Sequence, residues 1–255
     1  MNKQRFPIAV VALIMAAILA TPAVMAQSQE TLTAKGQEIE VPVPTEPGIF
    51  TIKGEFARIA YNNEGWVTLG YRTANSSQGQ EWMLLEAGVT ILQSPKGQTL
   101  TRKSFSVTLP DGTAVPMATV EEYRKAGSLS ALNGRGNTVR DSINYFPVAA
   151  NRAIPMIFFS DPAHPSRGIA FDQFDVNRNM AAVGRIFFKM PDGQTIEPGQ
   201  HWLNVEFANS IVQAPFRIMT KEEEKFLRKN WKDLKKEHEA FLKQEAEKAK
   251  QQQQQ

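Results

Sequence analysis

FSVTLPDGTAVP, residues 105–116, is the stretch whose reading decides the fold. Phe105, Val107 and Leu109 alternate with Ser106 and Thr108. A period of two puts the apolar side chains on one side of a strand and the polar ones on the other. Pro110-Asp111-Gly112 follows as a turn. Proline presets φ at the first corner, aspartate bonds the backbone two residues on, and glycine accepts positive φ. Ala114–Pro116 begins a return. The same grammar recurs in FFKMPDGQTIEP, residues 187–198. Each reads as a strand, a Pro-Asp-Gly turn and the start of a return strand. The echo fits one turn chemistry used twice, or a weak repeat of two half-sandwiches.

Working outward, Val67, Leu69 and Tyr71 alternate with Thr68, Gly70 and Arg72. Ile186, Phe188 and Met190 share a face, as do Leu203, Val205 and Phe207. Each pattern predicts one buried and one wet face. Asn62–Gly65, Pro95-Lys96-Gly97 and Pro198-Gly199 punctuate the runs as turns. The chain therefore reads as mainly β, with an antiparallel β-sandwich over residues 49–219. Its strand pattern resembles that of immunoglobulin-like sandwiches. That resemblance is architectural and carries no function.

Two regions break the strand pattern. Thr119-Val120-Glu121-Glu122 is a capping box that predicts a short helix ending at Gly127. A second short helix is expected at Asn137–Tyr145. Residues 119–151 then form a helical insertion in the β domain, of the surface-loop kind that often carries function. From Thr220 onward no glycine or proline interrupts the chain. Thr220 and Glu223 form a capping box, and Glu222–Glu224 place negative charge at the positive end of the helix dipole. A helix is expected over 220–250, followed by a disordered glutamine tail at 251–255. Leu227, Trp231, Leu234, His238 and Phe241 recur at spacings of 4, 3, 4 and 3, with Phe226 and Leu242 beside them. This seam either docks on the chain's own sandwich or binds a partner helix. Those five residues are the candidate partner-binding set.

The N-terminus reads as a secretory signal. Lys3 and Arg5 precede an apolar run at Ile8–Ala20, and Val24-Met25-Ala26 supplies a cleavage site after Ala26. The run is short for a membrane span, and the chain has no second one. Gln27–Gly48, with Pro42, Pro44 and Pro47, is an extended linker with one edge strand at Glu38–Val43. The whole chain holds 29 basic and 26 acidic residues, a net +3; without Lys3 and Arg5 the net is +1. A nearly neutral exported protein has no electrostatic case for nucleic acid. Absence of cysteine rules out disulfides, thiolate metal sites and a cysteine nucleophile.

Candidate chemistry gathers at FFSDPAHPSRGIAFDQFDVN, residues 158–177. Ser160 or Ser166, His164 and Asp161 are triad residue types, but no nucleophile elbow surrounds either serine. Asp172, Asp175 and Asn177 are hard oxygen donors in a pattern unlike a calcium loop. They read as solvated strand-end groups, so neither metal nor cofactor is expected. His201 has no second ligand at metal spacing. Trp66, Trp82 and Trp202 could form a sugar platform, with Trp66 and Trp202 expected exposed because they are out of phase with their strands' apolar faces. The expectation is thus a secreted or periplasmic, non-catalytic binding or assembly protein of the cell envelope. Its partner is another envelope protein or a second copy. A carbohydrate-binding module through Trp66 and Trp202 is the alternative. A hydrolase using residues 160–177 is the third reading.

Overall fold

The computed structural model describes residues 29–34, 37–42, 49–92, 96–126, 129–138, 141–159 and 169–252. The signal segment, the tail residues 253–255, and Ser160, Asp161, His164 and Ser166 lie outside the described residues. The fold is mainly β with a C-terminal helix. One sheet has six strands, in the order β10 (Arg152–Met156), β12 (Met180–Lys189), β6 (Trp82–Ile91), β5 (Gly65–Gly70), β4 (Ala57–Tyr61) and β3 (Ile49–Gly54). A second has four, in the order β14 (Ile211–Ile218), β13 (Gly199–Glu206), β8 (Phe105–Thr108) and β9 (Ala114–Pro116). All these pairs are antiparallel except β10 with β12. A short ladder joins β7 (Gln98–Thr101) to β11 (Gln173–Val176).

Apolar sides of the two larger sheets share one core. Val67, Leu69, Leu85, Val89 and Ile186 from one sheet, and Phe105, Val107, Leu203, Val205 and Phe216 from the other, are all buried in it. Along β8 the alternation holds: Phe105 and Val107 are buried, and Ser106 and Thr108 half-buried. Along β5 and β6 it does not give a wet face. Thr68 is fully buried, and all ten residues of β6 are buried, Glu86 among them.

Part of the cover on that second face comes from the 119–151 insertion, whose Ile143, Tyr145 and Phe146 lie against the sheet while residues such as Val148 face outward. Trp66 Nε1 donates to the Tyr145 carbonyl at 2.9 Å. Gly70 and Gly88 leave flat places where Ile143 and Phe146 sit. A Cβ at Gly88 would lie 2.4 Å from the Phe146 ring. Charges clip the cover down. Arg72 grips Asp141 with two hydrogen bonds of 2.8 and 2.9 Å. Arg185, ion-paired to Glu86 at 3.4 Å, donates to Asn137 Oδ1 at 2.7 Å and also to Asn133.

Helix positions follow from that packing. The Thr119 capping box forms, with Glu122 N–H on Thr119 Oγ1 at 3.1 Å, and α2 runs Val120–Lys125 after the single turn α1 at Arg72–Asn75. The next helix, α3, spans Ser130–Thr138, not Asn137–Tyr145. The 141–146 stretch lies flat on the sheet, and Tyr145 gives its carbonyl to an indole instead of a helical N–H. Likewise the 27–48 linker contains a hairpin, β1 (Gln29–Ala34) with β2 (Gln37–Pro42), and not a lone edge strand.

The last helix, α4, runs Lys221–Gln252. Its capping box closes through Glu223 N–H on Thr220 Oγ1 at 3.2 Å and Thr220 N–H on Glu223 Oε2 at 2.9 Å. Buried Asn75 ties the helix start to the sheet, accepting from Met219 N–H at 2.7 Å and donating to Glu224 at 3.1 Å.

Two glycines separate packing from propensity. Gly88→Ala drives a methyl into Phe146 and Thr68, and overpacking of this kind costs about 1–3 kcal/mol. Gly134→Ala, inside α3 with nothing within 4 Å of the new Cβ, stabilises by about 0.5–1 kcal/mol. Urea midpoints of the two variants should move in opposite directions.

Candidate functional site

The two Pro-Asp-Gly turns meet at one end of the β domain. In the first, Gly112 takes φ of 87°, its N–H reaches the Leu109 carbonyl at 2.9 Å, and Asp111 Oδ1 accepts Thr113 N–H at 2.8 Å. In the second, Gly193 takes φ of 79° and Gln194 N–H reaches the Pro191 carbonyl at 2.9 Å. The echo ends there. The first turn joins the hairpin β8–β9, whereas the second leads out of its sheet altogether. On β12, β6 pairs along Ala182–Lys189, β10 takes the other edge only at Met180–Gly184, and Ala118 N–H bonds the Phe187 carbonyl at 2.9 Å; the chain makes no return strand after the turn. Ile196 instead bonds Gln80 and Gly79, at 2.9 and 3.0 Å, and the chain crosses into β13. The turns therefore come from different sheets and are not half-sandwich repeats.

Between them lies a cleft of about 330 Å³, with Leu109, Pro110, Asp111, Thr195, Glu197 and His201 in its lining. Gly199, at φ of 140°, lets the crossover approach closely, since a Cβ there would lie 2.8 Å from Pro110. His201 is only 1% exposed and stacks on Phe216 at 5.2 Å. Its Nδ1 lies 3.0 Å from the Gly199 carbonyl, which can only accept, so Nδ1 carries the proton. Burial pushes its pKa down to about 4, with the Arg217 charge lowering it further and the Gly199 contact and Asp111 opposing. The ring is thus neutral at ordinary pH. Asp111 is held below the usual carboxylate range by Thr113. Glu197 accepts the Thr195 hydroxyl at 2.6 Å. Sequence reasoning set His201 aside for want of a nearby ligand and passed over Asp111, Thr195 and Glu197. The cleft is assembled from three separated segments, and the only signal was the repeated turn.

The α4 seam is divided. Leu227, Leu234 and His238 are buried, the two leucines in the chain's own core, and Trp231 and Phe226 are half-buried against that core. In this structure these residues pack against the chain's own β domain rather than lying open on the helix surface. The apolar stripe faces the β domain because the pinned helix start aims it there. Phe241 stays 39% exposed. Burial holds His238 at a pKa of about 4, with Arg58 lowering it and Glu239 opposing.

The tryptophans do not form a platform. Trp66 is out of phase with Val67 and Trp202 with Leu203, so they sit on the outer faces of different sheets. Trp202 is 7% exposed, against the expectation of an open ring, and lies between Thr108 and Pro215. Trp66 is half-buried and stacks on Tyr61 at 4.5 Å. Trp82 is buried, with its Nε1 on Glu81 at 3.1 Å.

Around residues 158–177 the described part is structural. Asp175 accepts the Thr99 hydroxyl at 2.6 Å, and Asp172 pairs with Arg102 at 3.2 Å. That arginine lies over the Phe159 and Phe158 rings at 4.5 and 5.2 Å and donates to the carbonyls of Ala118 and Phe171, each at 3.2 Å, and of Phe158. Among the described residues, no three His, Asp or Glu side chains gather to hold a metal ion. No described helix is long and apolar enough to cross a membrane.

Both histidines make stability depend on pH in one direction. Their folded pKa of about 4 lies below the ordinary 6.5, so the unfolded chain takes up protons first as pH falls. Their contribution is complete above about 6.5 and drains away down to about 4. His238→Leu should flatten the fall in urea midpoint between pH 6.5 and 4 relative to the parent chain. An unchanged slope would show that His238 titrates normally. No family model, no curated protein and no solved structure matches this chain.

Proposed function

We propose that the chain is an exported, non-catalytic binding or assembly protein of the cell envelope. The reading takes residues 49–219 as a binding module, an immunoglobulin-like sandwich in the loose sense of two facing β-sheets. Its partner is an envelope protein or a second copy, met by the outer part of α4. Export rests on the N-terminal sequence pattern alone.

The division of α4 carries the proposal. The helix is 32 residues long, about 48 Å at 1.5 Å per residue. The described side chains buried in the chain's own structure end at His238. From Glu239 on, every side chain whose exposure is described is exposed: Glu239, Ala240, Phe241, Lys243, Gln244 and Glu247. Phe241, an aromatic ring set among lysines and glutamates, is the kind of residue that anchors an interface. The polar neighbours keep the free helix in solution and suit an interface rim.

The test is site-specific photocrosslinking in the native envelope, with the crosslinker replacing Phe241. A discrete adduct that disappears when the crosslinker sits at buried Leu234 supports the reading. A chain spanning 27–240 should keep its fold and lose the partner. Retention of the same partner by that shortened chain would remove α4 from the function.

A further inference from the structure

We propose that the outer side of edge strand β10, with the 169–171 segment beside it, seats on an anionic lipid surface. The proposal rests on the reading of the chain as an exported envelope protein, and not on α4.

Along β10 and just past it, Ala153, Pro155 and Ile157 alternate with Ile154, which packs on the core, and with buried Met156. All three are exposed. Phe171 N–H bonds the Ile157 carbonyl at 2.9 Å and so brings a second run alongside. In that run Ile169 is 72% and Phe171 52% exposed, with half-buried Ala170 between them. Five apolar residues in two adjoining runs thus stand in water. Apolar surface gathered in this way marks a contact.

The backbone and the area narrow what the contact can be. Arg152 N–H bonds the Asn179 carbonyl on the β12 side, so the alternation of the strand turns the backbone groups of Ala153, Pro155 and Ile157 to the free edge. Pro155 has no N–H to offer there, and the Ile157 carbonyl is already taken by Phe171. An added strand is therefore refused. Five side chains, an alanine and a proline among them, fall short of the roughly 800 Å² per partner that a stable protein interface takes. A lipid surface needs neither pairing groups nor a fitted shape. Binding to it grows with the apolar area inserted and with charge attraction.

Charge selects an anionic surface. From Ser142 to Phe159 the one charged residue is Arg152. It is exposed, as is Arg178 in the turn whose Asn179 it bonds, and neither has an ion pair among the described residues. Asp172, the acid that adjoins Phe171, is paired with Arg102 at 3.2 Å. Free arginines beside an apolar strip add attraction to an anionic lipid face.

The test is flotation of the protein, purified from its native envelope, with vesicles of phosphatidylethanolamine and phosphatidylglycerol and with vesicles of phosphatidylcholine alone. The expected result is binding to the anionic vesicles that weakens with salt, and little binding to the neutral ones. The double variant Ile169→Ser, Phe171→Ser changes two exposed side chains and should keep its urea midpoint while binding weakens about tenfold. Arg152→Gln should reduce the preference for anionic vesicles. Three results would overturn the proposal: no flotation, equal flotation of the double variant, or a dimer of the parent chain that the double variant abolishes, which would make the strip a contact between copies. The readout involves neither α4 nor a protein partner, so failure here and failure of the Phe241 crosslink are separate outcomes.

Discussion

The six-stranded sheet is too apolar to leave one face in water, and the rest of the structure answers that constraint. With every residue of β6 buried, the sheet needs a partner on each side. The four-stranded sheet supplies one. The 119–151 insertion helps supply the other, lying over Gly70 and Gly88 and clipped by Arg72–Asp141 and by Arg185, held by Glu86, on Asn133 and Asn137. A buried glutamate such as Glu86 is tolerable only because a guanidinium reaches it; isolated, its charge would cost several kcal/mol, on the order of a desolvated ion. The clip therefore specifies where the cover lands more than it stabilises the chain.

The same logic holds at the sheet ends. Glu64, in the turn between β4 and β5, accepts from Gln98 at 2.7 Å, Ser210 at 2.7 Å and Asn209 N–H at 3.0 Å. It thereby joins the six-stranded sheet to the β13–β14 turn. Burial raises its pKa, but these hydrogen bonds outweigh that and hold it low. Gly65 beside it lets Phe207 close in, since a Cβ there would sit 2.2 Å from the ring. Glu64 thus ties the two sheets at this end; at the other end Gly199 and Pro110, in β13 and the β8–β9 turn of the four-stranded sheet, pass closely beside the His201 cleft.

Much of this was legible in the residues. β8 and its turn follow from Phe105, Val107, Leu109 and Pro110-Asp111-Gly112, and both capping boxes set their helix starts. These features are local, so a few adjacent residues suffice. What could not be read was anything set by the partner across a gap. Thr68 is polar and in phase for solvent, yet it is buried because Phe146, seventy-eight residues on, covers its neighbour Gly88. Trp202 was expected outside for the same reason of phase. The second Pro-Asp-Gly looked like the first, but it leads into a crossover and not a return strand, and nothing in the adjacent residues marks the difference. The cleft inherits that opacity. Its residues become neighbours only because the chain crosses at Ile196 into the other sheet.

This gives the two candidate surfaces different origins. The cleft is a by-product of topology: the crossover from β12 into β13 brings the buried His201 and two exposed carboxylates to one end of the β domain. The outer part of α4 follows its buried stripe: Leu227, Leu234 and His238 are buried, Phe241 is 39% exposed, and the helix continues to Gln252. A helix of that length carries a long continuous surface, whereas the cleft is small and set by where three separated segments happen to cross.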